Sequence, residues 1–511
     1  MATRDDGRFD VFDVVVVGCG PVGAVAANLL AHAGLRVLVL ERGLEPMDIP
    51  RAIHFDASIM RVFQSIGMAE EIEEQCRLIE RMDTYGADGQ LLSSSSAGRD
   101  VDGWGAHYNF YQPALEVALT RRLETRSSVE FRRGANVVGV ESDVHDVSVT
   151  WQEEGETRSA RAEYVIATDG ASSSVRKSLG IVLDDLGFDE PWLVVDALVA
   201  DGHGLPESAS QMFCDPTRPT TLVPGPGAHR RWEFMLLDGE EPDRMPDPEI
   251  VSALIGAHVD PALVTVIRAS VYRFHALIAK RWQHGRVFLA GDAAHQTPPF
   301  LGQGMCHGIR DARALAWRMR EVATGADPAL LDTYQAEREP QVRSIVARAV
   351  QKGREICILD PARARERDRA VSERSAWGSS LDSTLTLSID HGFVHPSLPA
   401  GTSALPQVLD EGGLLDDALP AGFVIIGEGS EGVVDASGGP GAIPRYATSS
   451  SSVRSWLRQQ NAAYAIVRPD RHPYAFAADD SDLEHKLTAL RGLLFPACAA
   501  GAHPGGGPLS H

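Results

Sequence analysis

The first residues with a chemistry of their own are three glycines and an acid. Gly18, Gly20 and Gly23, in "VVVVGCGPVG", have the G-x-G-x-x-G spacing, and Glu41 follows at the end of "VLVLE". Glycine at the first two positions lets backbone N–H groups approach a pyrophosphate, because no Cβ stands between them. A carboxylate at position 41 accepts hydrogen bonds from both hydroxyls of an adenosine ribose and repels a 2'-phosphate. The combination describes a dinucleotide site, and NAD and FAD satisfy it equally.

These residues need particular elements to hold them. Residues 14–17 are an unbroken valine run, as a buried parallel strand requires. Pro21 stands in the first turn of a predicted helix whose N-terminus would turn its positive dipole toward phosphate. Gly34 ends that helix, and residues 36–40 form the next strand. From 136 to 166 apolar and polar residues alternate, which predicts a β-meander. It runs into Asp169 and Gly170 in "ATDGASSSVRKSLG", where a helix-capping aspartate is the plain alternative to a ligand contact. A later strand, 287–290, delivers Gly291 and Asp292. The segment "PPFLGQGM", with Pro299, Gly302, Gly304 and Met305, then opens a long amphipathic helix.

Three motifs in this order resemble the single-component FAD-dependent aromatic hydroxylases, the p-hydroxybenzoate and phenol hydroxylase family. The stretches "PRAIHFDASIMRVFQSIG", "RRWEFML", "VYRFHA" and "RVFLAGDAAHQTPPFLGQGMCHGIRDARALAWRM" look most like its 3-(3-hydroxyphenyl)propionate hydroxylase branch. The resemblance implies FAD as resident cofactor and NADH or NADPH as a visiting electron donor. It also implies transfer of one oxygen of O2, through a flavin C4a-hydroperoxide, to a phenol similar to 3-hydroxyphenylpropionate.

By the same resemblance, Gly18, Gly20, Gly23, Glu41, Arg42, Arg51, Gln112, Val137, Asp169 and Gly170 fall to the cofactor, as do Gly291, Asp292, Pro299, Gly302, Gly304 and Met305. Asp56, in "PRAIHFD", is the expected base for the phenol proton, with His54 next and Tyr272 also counted as catalytic. Arg230, Trp232 and Arg273 are expected at the substrate, because a side-chain carboxylate on the ring would need a local arginine. Family members often carry asparagine near the positions of Cys306 and His307, and this chain does not.

The fold expected is α/β: a Rossmann-like FAD-binding domain, an inserted sheet-rich substrate domain and a C-terminal thioredoxin-like domain lacking CxxC. Residues 10–183 and 272–346 make the two parts of the first, and 184–271 the insert that roofs the flavin. A helical connector and linker occupies 347–400, the tail domain 401–500, and a disordered end 501–511. Cys498 alone in the tail leaves no dithiol chemistry there, so the tail reads as a packing or homodimerising module.

Composition narrows the classes. A chain of 511 residues has interior enough for a large cofactor. Its 70 acidic against 48 basic side chains give a net charge of -22, which opposes nucleic acid and anionic membrane surfaces as partners. Six scattered cysteines show neither metal-ligand spacing nor disulfide density, so no metal is expected and a reducing cytoplasm is. No apolar run is long enough to span a bilayer. Two other readings stay open: a tailoring oxygenase for a larger polyketide-type aromatic, and a flavin-holding protein that has lost oxygenase activity and serves an interaction role.

Overall fold

The computed structural model describes residues 11–45, 51–96, 102–373, 388–429, 432–435 and 443–496. Cys498 and the end segment 501–511 lie outside the described residues. The chain forms two compact units, Met1–Ala312 with Pro340–Thr386, and Arg313–Glu339 with Leu387–His511.

The first unit contains the site, between two sheets. Its nucleotide sheet runs in the order Gln283–His284, Val287–Leu289, Glu156–Ala167, Val11–Val17, Val37–Glu41, Val129–Arg133, with the last five strands parallel and the first antiparallel to its neighbour. Val14, Val15, Val16 and Val17 are buried, as a strand covered on both faces demands. The helix Pro21–His32 follows immediately. The meander forms as the alternation predicts, with Asn136–Ser142, Val147–Glu153 and Glu156–Ala167 antiparallel in sequence.

The second sheet is the roof. Its order is His295–Gln296, Val264–Ala279, Leu183–Val199, His229–Met235, Thr220–Pro224, Ala209–Phe213, Arg81–Tyr85, Leu91–Ser96. It therefore draws on three separated stretches rather than on 184–271 alone. The strands before residue 100 carry so few large apolar residues that nothing local marks them for this sheet. A small third sheet pairs His54–Asp56 and Arg77–Leu78 with His107–Asn109.

The second unit holds a mixed sheet ordered Gly432–Asp435, Arg445–Thr448, Val424–Glu428, Tyr464–Val467, Pro473–Ala477. The helix Asp480–Leu494 buries Leu483, Leu487, Leu490 and Leu494 in a core with Trp317, Phe393 and Phe423, the alternating four- and three-residue spacing of an amphipathic face. Among the described residues, no helix of either unit is long and apolar enough to cross a membrane.

Candidate active site

The glycine loop is shaped for close approach. Gly18 has φ +90°, and a Cβ there would lie 2.7 Å from the Thr168 carbonyl oxygen. A Cβ on Gly23 would collide with the Gly18 carbonyl, whereas one on Gly20 would meet no protein atom within 4 Å. Two glycines thus let the chain pack on itself, and the middle one leaves a gap at a helix N-terminus that suits a pyrophosphate. Glu41 accepts hydrogen bonds from the backbone N–H of Cys19 and Gly43, both at 2.7 Å, which fixes its carboxylate beside the loop. A cradle of this kind, with an acid at its edge, fits the ADP half of FAD.

One continuous cavity joins this loop to the roof. It is lined by Gly20, Arg51, Gln112, Gly170, Asp292, Pro299, Gly302, Gly304 and Met305 among the expected cofactor residues. Gln112 is buried, and its Oε1 accepts from the backbone N–H of both Arg51 and Ala52 at 2.8 Å, so it pins these two residues at the cavity wall. Gly302 has φ +62°, and a Cβ there would stand 2.7 Å from His54 Nδ1. Gly304 starts the helix Gly304–Ala323, whose first turn supplies N–H donors to the cavity.

Other expected residues lie elsewhere. Asp169 Oδ2 accepts from the Val175 N–H and the Ser174 hydroxyl, so it braces the first turn of the short helix Ser174–Ser178, whose N-cap is Ser173, and of the two motif residues only Gly170 lines the cavity. Arg42 and Val137 do not line the cavity; Val137 pairs with Trp151 inside the meander.

The expected base is displaced by its partners. Asp56 caps the helix Ala57–Ser65 and receives Arg310 Nη2 at 2.5 Å, Gln303 Nε2 at 3.1 Å and the Ser58 hydroxyl at 2.7 Å. Burial would raise its carboxyl, but the Arg310 guanidinium overrides this and holds it well below the usual carboxylate range. A carboxylate so held, and absent from the cavity lining, is an anchor for the neighbouring helix and a poor proton acceptor. His54 does line the cavity. Its Nδ1 is 3.3 Å from the Gly302 carbonyl and its Nε2 is 3.0 Å from Nδ1 of His107, which lines the cavity too. Burial, then His107, push the His54 imidazole down to about 4, so it is neutral at physiological pH.

On the roof, the expectation misses by one residue. Arg231 and Glu233 face the cavity, and Arg230 and Trp232 therefore face away. Trp232 is buried in the core behind the sheet, and Arg230 binds Glu207 at 2.8 Å. Tyr272 lies outside the lining with Arg268 over its ring, and Arg273 is half exposed beside Asp189 at 3.0 Å.

Sequence reasoning also passed over the braces. Arg231 donates to Asp196 through Nε at 2.9 Å and Nη2 at 3.1 Å, and through Nη1 to the Arg51 carbonyl at 2.8 Å. His229 adds a third contact to Asp196 at 2.9 Å. Buried Asp311 accepts from the Gly291 N–H at 3.1 Å and holds His295 Nε2 at 2.7 Å, fixing the turn that presents Asp292. Arg176 Nη1 donates to the Ala293 carbonyl at 3.0 Å, tying that turn to the segment after Gly170. A charged residue inside an apolar strand, such as Asp196 in "LVVDALV", was the available signal.

A dinucleotide cradle opening into a sheet-roofed cavity defines the class of FAD-dependent aromatic hydroxylases. The chain belongs to the family described as FAD binding domain, which matches residues 11–349. It is 36% identical over 497 residues to the probable NADH-specific resorcinol 4-hydroxylase of Rhodococcus jostii (strain RHA1), covering 92% of this chain and 93% of that one. It is 33% identical over 437 residues to the 3-(3-hydroxy-phenyl)propionate/3-hydroxycinnamic acid hydroxylase of Mycolicibacterium smegmatis (strain ATCC 700084 / mc(2)155), covering 81% and 76%. In fold it matches the flavin-dependent monooxygenase PieE, solved with FAD and substrate, with TM-score 0.79 at 20% identity over 94% of this chain and 99% of that one. The protein is a flavoprotein hydroxylase with FAD as its cofactor.

Proposed function

We propose that this enzyme hydroxylates a small uncharged phenol of the resorcinol type, in the cytoplasm, with NADH as electron donor. One oxygen atom of O2 replaces a ring C–H by C–OH, the other leaves as water, and NADH supplies the hydride. Bound FAD provides the electrophilic oxygen. This chain's residues do the rest: the roof and the small sheet hold the ring and exclude water, and a histidine pair takes the phenol proton so that the ring becomes electron-rich enough to react. His54 and His107 suit that task because they are bonded to each other at the cavity wall, and the phenolate formed beside them offsets the burial that lowers the basicity of His54. Glu41 and the glycine loop would hold the ADP half, and Asp292 with the start of helix Gly304–Ala323 the flavin half. The tail unit, read as thioredoxin-like and without a CxxC, takes no part in the chemistry.

The observation that carries the choice of substrate is the roof's arginine inventory. Arg230 and Arg273, which a propionate side chain would need, are off the cavity; of the arginines that line it, Arg231 is committed to Asp196 and the Arg51 carbonyl, Arg81 pairs with Asp83 at 3.0 Å, and Arg51 falls to the cofactor. A carboxylate left without a cation there is costly to bury. The 36% identity to a protein named a resorcinol hydroxylase supports the same reading, including the choice of NADH. The test measures NADH and NADPH oxidation and product formed, by mass spectrometry, with resorcinol, phenol and 3-(3-hydroxyphenyl)propionate. Resorcinol should give the highest product per NADH, with a trihydroxybenzene as product. Tighter coupling with the propionate overturns the proposal.

A further inference from the structure

We infer that Glu233 is a specificity-determining residue that accepts a hydrogen bond from a second hydroxyl of the substrate ring, one that is not deprotonated. The inference rests on the reading of the site as a phenol hydroxylase and adds to it the group that reads the diol.

The strand register puts Glu233 at the cavity. In the strand His229–Met235, Glu233 lies opposite Thr221 of the next strand, and Thr221 lies opposite Met212 of the one after. All three line the cavity. The adjacent row holds Arg231, Val223 and Ser210, which line it as well. The face is thus mixed: Met212 and Val223 offer apolar contact to an aromatic ring, and Glu233 is the one carboxyl group among the six.

Among the described residues, that carboxyl has no hydrogen-bond donor. Its nearest cation, Arg231, spends its guanidinium on Asp196 and on the Arg51 carbonyl. Burial pushes the Glu233 carboxyl up from its ordinary value, against the pull of Arg231. The other carboxylate of this part of the sheet, Asp196 one row away, takes three donors. A half-buried carboxyl without a donor is costly, and a ligand hydroxyl is the donor that removes the cost. The histidine pair comes from a different sheet, His54–Asp56 with His107–Asn109. Two acceptors on two walls suit a ring with two hydroxyls: one proton goes to the histidines, and the other O–H stays intact and donates to Glu233. A ring lacking the second hydroxyl leaves Glu233 desolvated and unpaired, and a site built this way rejects such an analogue.

The test compares wild type, Glu233→Gln and Glu233→Leu as FAD-loaded proteins, with resorcinol and its isostere 3-methylphenol. Dissociation constants come from the perturbation of the flavin spectrum, and kcat/KM from product formed. Wild type should favour resorcinol. Glu233→Leu should weaken resorcinol about 10- to 100-fold, the range of a hydrogen bond to a charged group, while 3-methylphenol binds as well or better. Glu233→Gln, whose amide oxygen still accepts, should recover part of the resorcinol preference. A resorcinol to 3-methylphenol ratio that is the same in wild type and Glu233→Leu overturns the role of Glu233, whatever the turnover. Wild type that binds both phenols but hydroxylates neither overturns the phenol-hydroxylase reading instead.

Discussion

The glycine loop and the roof strand His229–Met235 line the same cavity and are built on opposite principles. The loop works by what it lacks: Gly18 and Gly23 have no side chain because the neighbouring backbone occupies that space, and Gly20 has none where a pyrophosphate would go. The roof works by alternation: every second side chain points at the cavity, and its neighbours fill the core behind. A loop of this kind tolerates almost no change at fixed positions. A strand tolerates change on either face but depends on which residue is paired with which.

The largest effect should come from breaking the roof's buried charge. Asp196 is fully buried and accepts from Arg231 and His229 while Arg268 stands 3.9 Å away. Asp196→Ala leaves two guanidinium groups without their counter-charge, so unfolding by denaturant should show a loss of about 3–5 kcal/mol. A loss under about 1 kcal/mol would show that the roof's order does not depend on this acid.

Next comes the loop, where two adjacent motif glycines should part company. Gly23→Ala drives a methyl into the Gly18 carbonyl, so it should cost about 1–3 kcal/mol of stability even without FAD. Gly20→Ala meets no protein atom and should leave the apo-protein's melting temperature unchanged while weakening FAD retention. Equal effects of both substitutions on apo stability would remove the distinction between packing and ligand space.

The same contrast explains what was legible in the sequence. The loop could be read because its spacing is local: Gly18, Gly20, Gly23 and Glu41 carry their reason in the chain itself. Gly302, Gly304 and Asp292 were legible through resemblance, and the structure brings them to the cavity. The roof was not legible to the residue, because "RRWEF" offers two arginines and only the register says which faces inward. Asp56 misled for a related reason. Its partner Arg310 lies 254 positions along the chain, and nothing near Asp56 announces that its carboxylate is taken.

A smaller effect separates His54 from Asp56 by pH. His54 has an ordinary imidazole value of 6.5 and is held at about 4 in the folded protein. Between those values the unfolded chain binds the proton and the folded chain does not, so the stability present above 6.5 is lost as pH falls toward 4. Between pH 7 and pH 5 that is about 1–2 kcal/mol. His54→Asn should flatten this part of the stability profile relative to wild type. Profiles of equal slope would mean that His54 titrates in the folded protein as it does in the unfolded chain and is not held neutral by its surroundings.

The smallest effect tests the edge of the roof. Arg273 and Asp189 form an ion pair at 3.0 Å with both side chains more than half exposed, at 54% and 56%. Solvent screens such a pair, which contributes about 0–1 kcal/mol, and the guanidinium is outside the cavity lining. Arg273→Gln should therefore change stability by less than that and leave kcat/KM for resorcinol within about twofold. The informative measurement is the same variant with 3-(3-hydroxyphenyl)propionate. If Arg273 plays no part in recognition, that substrate is as poor for the variant as for wild type, since this guanidinium was never at the cavity. A tenfold drop confined to the propionate substrate would instead show that the arginine reaches the ligand during turnover. The roof would then be adjustable where the loop is fixed, and an acidic phenol would replace resorcinol as the substrate to pursue.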